Sequence, residues 1–261
     1  MRFYILPDGQ SAPQGYTRIS YHVIFDIKIE NFHRKARLVA GGHITETPKC
    51  QTFSSVVSRE TVRIALTIAD LNDLEAKSGD IMNAYLTAPI TEKVWTVLGK
   101  EWGPGAGKKA IIMRALYGLK SSGAAFRKHL ADCMRVLGYK SCPSDHDIWY
   151  KAAVDLYGDK YYSYILCYID DISVVHHNAM PIMNKINKLF LLKPDSVGDP
   201  NMYLGAKINY HKNPNGMWSW TMSPSKYVRE ACKNCKDHLN NNFDSKYKLP
   251  KQSPNPFVVG Y

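Results

Sequence analysis

The sequence predicts an α+β fold, and three observations carry that prediction. Several short stretches alternate apolar and polar residues, the period of a half-buried strand. Others repeat apolar residues every three or four positions, the period of a helix packed on one face. The two kinds interleave without the strand, helix, strand rhythm of a parallel sheet.

Taken in order, residues 1–19 mix Pro, Gly and Ser and read as an irregular leader. From Tyr21, the residues Val23, Phe25, Ile27 and Ile29 face one way and Ile24, Asp26, Lys28 and Glu30 the other. That is a half-buried strand, which Asn31 ends. Lys35 to Ala40 reads as a second strand running into Gly41-Gly42, so the pair is a hairpin. A helix starts at Ser58, a good N-cap, and reaches about Leu74 with Val62, Ala65, Leu66 and Ala69 on one stripe. Residues 79–86 read as a strand that Asp80 opens. Strands near 94–98 and 110–113 flank a Gly- and Pro-rich connection. A helix from Ser122 carries Phe126, Leu130, Cys133, Met134 and Leu137, with Gly138 as its left-handed cap. Strands follow near 148–151, 161–168 and 172–176. The next helix, 180–192, turns Ile182, Ile186, Leu189 and Phe190 inward and stops at Pro194. Residues 202–221 alternate again, a last helix spans 225–238, and the tail beyond Asn240 frays.

The chain has 34 Lys and Arg against 23 Asp and Glu, a net charge of +11. An excess of that size favours a polyanionic partner, nucleic acid ahead of an anionic membrane face. Hydrophobic residues form 45% of the chain, too many for disorder. No apolar run approaches the ~18 residues of a membrane span. The cysteines are scattered rather than arranged as a disulfide framework. Cys232, Cys235 and His238 resemble half of a zinc site and lack a second pair of ligands. Gly103 to Lys109 resembles a phosphate-binding loop with the wrong spacing. His176 and His177, as neighbours on a strand, should point to opposite faces.

The informative feature is Asp170-Asp171, set between two apolar strands. Paired acids in a surface turn are ordinary. Asp80, in a comparable setting, adds a third. Three carboxylates on neighbouring strands form a hard, oxygen-rich cluster that suits Mg²⁺. Two such ions ~3.5–4 Å apart are the usual device for in-line attack at phosphorus.

These residues resemble the reverse transcriptases, and the copia-type (pseudovirus) retrotransposon branch in particular. Tyr168-Ile169-Asp170-Asp171 matches the YxDD signature. Lys35-Ala-Arg-Leu-Val39 resembles KARLV, and Thr52-Phe-Ser-Ser-Val-Val57 resembles TFSPVV. Gly79-Asp80 to Leu86 resembles MDVKTAFL, and Ala115-Leu-Tyr-Gly-Leu-Lys120 matches ALYGLK. Ser144-Asp-His-Asp147 stands where SDPC-like text belongs, and Asp199 to Ile208 resembles GPLKYFLGIEI. The set runs in order over roughly residues 20 to 235.

The resemblance implies a right-hand polymerase fold. Fingers would come from residues 20–55 and 88–121, an antiparallel palm from 56–87 and 122–208, and a partial thumb and tail from 209–261. It implies RNA-directed DNA synthesis from deoxynucleoside triphosphates on a primer 3′-hydroxyl. Asp80, Asp170 and Asp171 would be the catalytic residues and ligands of two Mg²⁺ ions, with Mn²⁺ able to substitute. The triphosphate would meet Lys35, Arg37, Tyr117, Gly118 and the backbone at Ile81, Asn83 and Ala84. Tyr85 would act as a steric gate against ribose, and its plain alternative is a core tyrosine. Lys120, Tyr168, the Tyr203-Leu204-Gly205 primer grip, and Lys226, Arg229 and Lys233 would hold primer and template. Solvated hairpin charges are the alternative for Lys35 and Arg37, and a plain β-hairpin for residues 203–205. Implied partners are RNA template, DNA primer or duplex, and polyprotein domains such as integrase and ribonuclease H, with no membrane. Implied locations are the cytoplasm, a virus-like particle, or the nucleus. A non-catalytic relic or domesticated binding protein on the same fold is the first rival, and a nuclease using the same acids the second.

The sequence also departs from the family pattern. Gly41-Gly42 stands where Lys-Gly is common, Leu86-Thr-Ala88 where LNG is common, and Ser122-Gly-Ala-Ala-Phe126 where APRAW is common. Protease, integrase and ribonuclease H segments are not seen beside it, so an excised fragment or a decayed genomic copy is expected. All three aspartates survive, which favours activity.

Overall fold

The computed structural model describes residues 3–28, 33–46, 48, 52–203 and 205–242. Ile29, Glu30, Asn31, Leu204 and the tail beyond residue 242 lie outside the described residues. The chain divides into two units, one through Pro200 and one from Asn201.

The first unit begins with β1 (Phe3–Ile5), β2 (Thr17–Arg18), β3 (Tyr21–Lys28), β4 (His33–Ala40) and α1 (Arg59–Leu71). It continues with β5 (Glu75–Asp80), α2 (Ala84–Thr87), β6 (Val94–Val97), β7 (Lys109–Ile112) and α3 (Ser122–Val136). It closes with β8 (Lys140–Ser141), β9 (Ile148–Val154), β10 (Lys160–Tyr168), β11 (Asp171–His176) and α4 (Met180–Leu189). The second unit holds β12 (Met202–Tyr203), β13 (Ala206–Lys212), β14 (Trp218–Ser223) and α5 (Ser225–Asn242). Helices and mainly antiparallel sheets are thus mixed, as an α+β reading requires. No helix among the described residues is long and apolar enough to cross a membrane.

The central sheet has the order β5-β11-β10-β9-β8, antiparallel throughout. Its inner strands are buried on both faces, which is why Tyr161–Tyr168 and Ile172–His176 read as almost continuous apolar runs. One core joins Ile165, Cys167, Ile172 and Val174 of the sheet to Phe126, Leu130 and Met134 of α3 and Met183 and Ile186 of α4. Helix α1 packs against β5 and β11. The Ser58 hydroxyl caps it by accepting the Thr61 amide at 3.0 Å. The Asp145 carboxylate adds charge at the same helix end, accepting the Ser58 amide at 3.1 Å and the Thr61 hydroxyl at 2.6 Å. Helix α3 ends as expected, with Gly138 at φ 84°.

Five expectations change. The leader is not irregular throughout, because Phe3–Ile5 pairs with β7 and buries Phe3 against a second core around Val94, Leu98 and Ile112. The strand expected at 79–86 lies at Glu75–Asp80 instead, and residues 84–87 turn into α2 because Asn83 adopts the left-handed region at φ 53°. The β3–β4 hairpin is not half-buried, for Phe25 is 81% exposed and Ile27 56%. Helix α4 stops at Leu189, ahead of Pro194, and Leu189 lies outward while Met183 takes the buried place. His176 and His177 also fail to part. The chain turns after β11, so the Tyr161 hydroxyl meets His176 Nε2 at 2.8 Å while the Tyr161 ring lies 4.6 Å from that of His177.

Candidate active site

Strands β10 and β11 pair down to Tyr168 opposite Asp171, leaving Ile169 and Asp170 as a two-residue loop. Loops of this length favour positive φ, which Ile169 supplies at 54°. For a β-branched residue that backbone is strained, at a cost of ~1–3 kcal/mol. Neighbouring segments clamp it. The Ile81 amide donates to the Asp170 carbonyl at 2.7 Å, the Cys167 amide to the Asp147 carbonyl at 2.9 Å, and the Val57 amide to the Cys167 carbonyl at 3.1 Å.

Strand β5 runs antiparallel to β11 and sets Asp80 opposite Asp171. Opposed side chains on such strands share a face. The Lys193 ammonium is ion-paired with Asp80 Oδ2, while Asp80 Oδ1 is buried with no hydrogen-bond partner. The backbone doubles the link, since the Lys193 amide donates to the Asp80 carbonyl at 2.9 Å. The Asp80 amide in turn donates to the Ser196 hydroxyl at 2.9 Å. Burial, then the charge of Asp80, raises the Asp170 carboxyl above its ordinary range, with Lys193 and Lys35 pulling the other way. Burial, then Asp170 and Asp80, pushes Asp171 up to about 6.

All-oxygen donors, excess negative charge and an orphaned buried oxygen fit a hard divalent cation in kind. Among the described residues, no three His, Cys, Asp or Glu side chains converge on one ion-sized point. Lys193 supplies the compensating charge and holds the Asp80 carboxylate. Cys232 and Cys235 are free and exposed.

The Asp171 shift carries a stability consequence with a definite sign. Its folded pKa exceeds the unfolded value, so ionisation costs stability above pH ~6 and costs nothing below ~4. About two units correspond to ~3 kcal/mol, which partial solvent screening reduces to ~1–2 kcal/mol. Without metal, Asp171→Asn should therefore unfold at a higher temperature than the native chain at pH 7.5 and at the same temperature near pH 4. An equal difference at both pH values in thermal unfolding would refute the assignment.

Around the carboxylates stand several residues that the sequence singled out. Tyr85, in α2 rather than on a strand, lies 4.8 Å from Tyr117 and 6.0 Å from Phe126 between ring centroids. Burial, then Tyr117 and Asp170, raises the Tyr85 hydroxyl pKa. Burial, then Asp170, raises that of Tyr117, against which Arg37 acts. Lys35 and Arg37 thus share one electrostatic neighbourhood with Asp170 and Tyr117, and Arg37 also reaches Asp26 at 3.4 Å. Gly118 does permit a close backbone approach, and what approaches is the Ala40 carbonyl, 2.1 Å from where a Cβ would sit. The Lys120 ammonium donates to the Thr45 carbonyl. A cavity beside the loop is lined by Ser55, Tyr85, Phe126, Arg127, Cys167 and Ile169.

The Ile81 and Met82 amides donate to the Asp170 and Leu191 carbonyls. Ile81 and Ala84 are buried. In the second unit, Tyr203 is 2% exposed, so its side chain is enclosed, and Gly205 takes the turn at φ 70°. Arg229 folds back onto the Ser225 carbonyl at 3.1 Å, and Lys233 is exposed on α5. The side chain of Lys226 lies outside the described residues.

Two groups escaped the sequence reading. Lys193 pairs with an acid 113 positions away, a separation that leaves no local signal. Arg127 and the buried Asp147 form an ion pair at 2.8 Å, joined by the Ser55 hydroxyl. Asp147 stands inside a motif segment, yet spacing alone could not match it to Arg127.

Comparison with known proteins follows the same line. A family model described as reverse transcriptase (RNA-dependent DNA polymerase) matches residues 8–245. The chain is 25% identical over 233 residues to the retrovirus-related Pol polyprotein from transposon TNT 1-94 of Nicotiana tabacum, covering 84% of this chain and 17% of the relative. It is 28% identical over 164 residues to the retrovirus-related Pol polyprotein from transposon RE1 of Arabidopsis thaliana, covering 59% of this chain and 10% of the relative. The chain therefore spans less than a fifth of the length of these relatives.

Proposed function

Because this chain belongs to the reverse transcriptase family, in its copia-type retrotransposon branch, we propose that it is an RNA-directed DNA polymerase. The observation that carries the reading is the register of β5 on β11. It sets Asp80 opposite Asp171 beside a strained Ile169-Asp170 loop, where burial and then neighbouring acids raise the Asp170 and Asp171 carboxyls. Charge repulsion of that kind, kept on rigid strands, is what a site awaiting cations requires.

In this reading the central sheet with α1, α3 and α4 is the palm, and the β3–β4 hairpin with the β6–β7 region is the fingers. Unit two supplies the primer grip and the beginning of a thumb. Asp80, Asp170 and Asp171 hold two divalent ions, which when bound offset the charge growing on the attacking and leaving oxygens. Lys193, which is ion-paired with Asp80 Oδ2, would be the counter-charge that the ions replace. Lys35 and Arg37 hold the triphosphate as charge-assisted donors. Lys120, Tyr168, Lys226, Arg229 and Lys233 position primer and template through the backbone, without reading bases. Tyr85, braced by Tyr117 and Phe126, closes the space that a ribose 2′-hydroxyl needs.

The test is primer extension on poly-rA primed with oligo-dT, with Mg²⁺ or Mn²⁺ and with a chelator control. Template-dependent extension supports the reading. Cleavage of the primed template in its place, or no extension by a folded chain, overturns it. For the gate, Tyr85→Val should raise ribonucleotide incorporation relative to deoxyribonucleotide by ~10–100-fold, the scale of a removed steric contact. Unchanged sugar selectivity in competition assays would remove the gate.

A further inference from the structure

On the second unit, β13 and β14 pair Tyr210 with Trp220 and Lys212 with Trp218. Opposed residues share a face, so all four stand on the same one. Trp218 stacks on Tyr210 at 5.2 Å and 21° between planes, and Trp220 lies 4.6 Å from Tyr210 at 34°. The same face begins as core, with Ala206 and Ile208 buried, and then opens: Tyr210 is 48% exposed and Trp218 56%. From Asn201 to Arg229 the sequence has Lys207, Lys212, Lys226 and Arg229 and no Asp or Glu.

Cross-strand aromatics also brace hairpins, and that role needs neither exposure nor a cationic setting. A three-ring stack half open to water, beside a lysine and within an acid-free segment, matches the parts of a single-strand binding surface. Such surfaces pair aromatic faces for bases with cations for phosphates. We propose that Tyr210, Trp218 and Trp220, flanked by Lys212, form a platform on which unpaired bases of a single-stranded nucleic acid stack. The inference rests on the polymerase reading only for the class of partner. The platform lies at the end of β13 away from the Tyr203-to-Gly205 turn, and so is separate from the primer grip.

The measurement is fluorescence anisotropy with the full chain and two labelled 12-mers, oligo-dT and an abasic strand with the same phosphates. The native chain should bind oligo-dT ~10-fold tighter than the abasic strand, the scale of one stacked base. Trp218→Ala should collapse that ratio while leaving affinity for the abasic strand unchanged. Trp218→Phe, which keeps a ring and the hairpin, should retain most of it. Lys212→Gln should weaken both strands alike and flatten the salt dependence. A ratio near one in the native chain, a ratio unmoved by Trp218→Ala, or equal loss on both strands in Trp218→Ala would overturn the proposal. Asp170→Asn separates the two readings, since it should stop extension and preserve the ratio. Failed extension by the native chain with the ratio intact would sink the polymerase and leave the platform standing.

Discussion

Asp170→Asn is expected to lower primer extension by ~10³-fold or more while leaving the chain better folded than before. The first half follows from its place in the loop between β10 and β11, clamped by the Ile81 amide. An amide side chain is nearly the same shape, so the backbone has no reason to move. What disappears is one negative charge from the acidic group proposed to hold cations. The second half follows from the direction of its pKa shift. Burial and Asp80 raise the Asp170 carboxyl, which means the folded state resists its charge. Removing that charge should raise the unfolding temperature at neutral pH when metal is absent, as for Asp171→Asn. Loss of activity with a gain in stability marks a functional charge, whereas a structural aspartate would lose both. Extension that survives the substitution would end the catalytic assignment, and a fall in stability would mean that Asp170 serves the fold.

Much of this could be read from the residues because the physics there is local. Ser58 and Gly138 mark helix ends through their own backbone chemistry. The stripe of α3 and the β10–β11 pair follow from periodicity. The carboxylates stood out because charge inside apolar strands is costly unless it has a use. The reading went wrong where local pattern and tertiary partner disagreed. Strand β5 has the text EAKSGD, without apolar alternation, and is a strand because β11 supplies its hydrogen bonds. The apolar text after Asp80 looked like a strand, yet Asn83 in the left-handed region turns it into α2. Phe25 and Ile27 alternate correctly and still face water, since no second layer covers that hairpin among the described residues. Lys193 could not be matched with Asp80, because an ion pair across the chain leaves no periodic trace. The pair matters to the site because it gives the Asp80 carboxylate a counter-charge from within the chain.

Gly118→Ala is expected to cost ~3–4 kcal/mol, from a left-handed backbone and an overpacked contact together. At ~2–4 °C per kcal/mol for a chain of this size, the unfolding temperature should fall by ~10 °C. Gly118 sits at φ 90°, and an added Cβ would lie 2.1 Å from the Ala40 carbonyl oxygen. The contact is reciprocal, since a Cβ on Gly42 would lie 2.2 Å from the Gly118 carbonyl oxygen. Between them the Ala40 amide donates to the Tyr117 carbonyl at 2.7 Å. Two backbones therefore cross with no room for side chains, and the crossing sets Tyr117 against Tyr85. Gly107→Ala isolates the first cause, because Gly107 has φ 79° with nothing within 4 Å of its added Cβ, and should cost only ~1 kcal/mol. Gly42→Ala isolates the second, the clash without a positive φ. Combining Gly42→Ala with Gly118→Ala should cost less than the sum, as both disrupt one crossing. The loss should extend beyond stability, with weaker triphosphate binding as Tyr117 shifts from Tyr85. Equal unfolding temperatures for Gly118→Ala and Gly107→Ala would show that the crossing is loose, and the bracing of Tyr85 would fall with it.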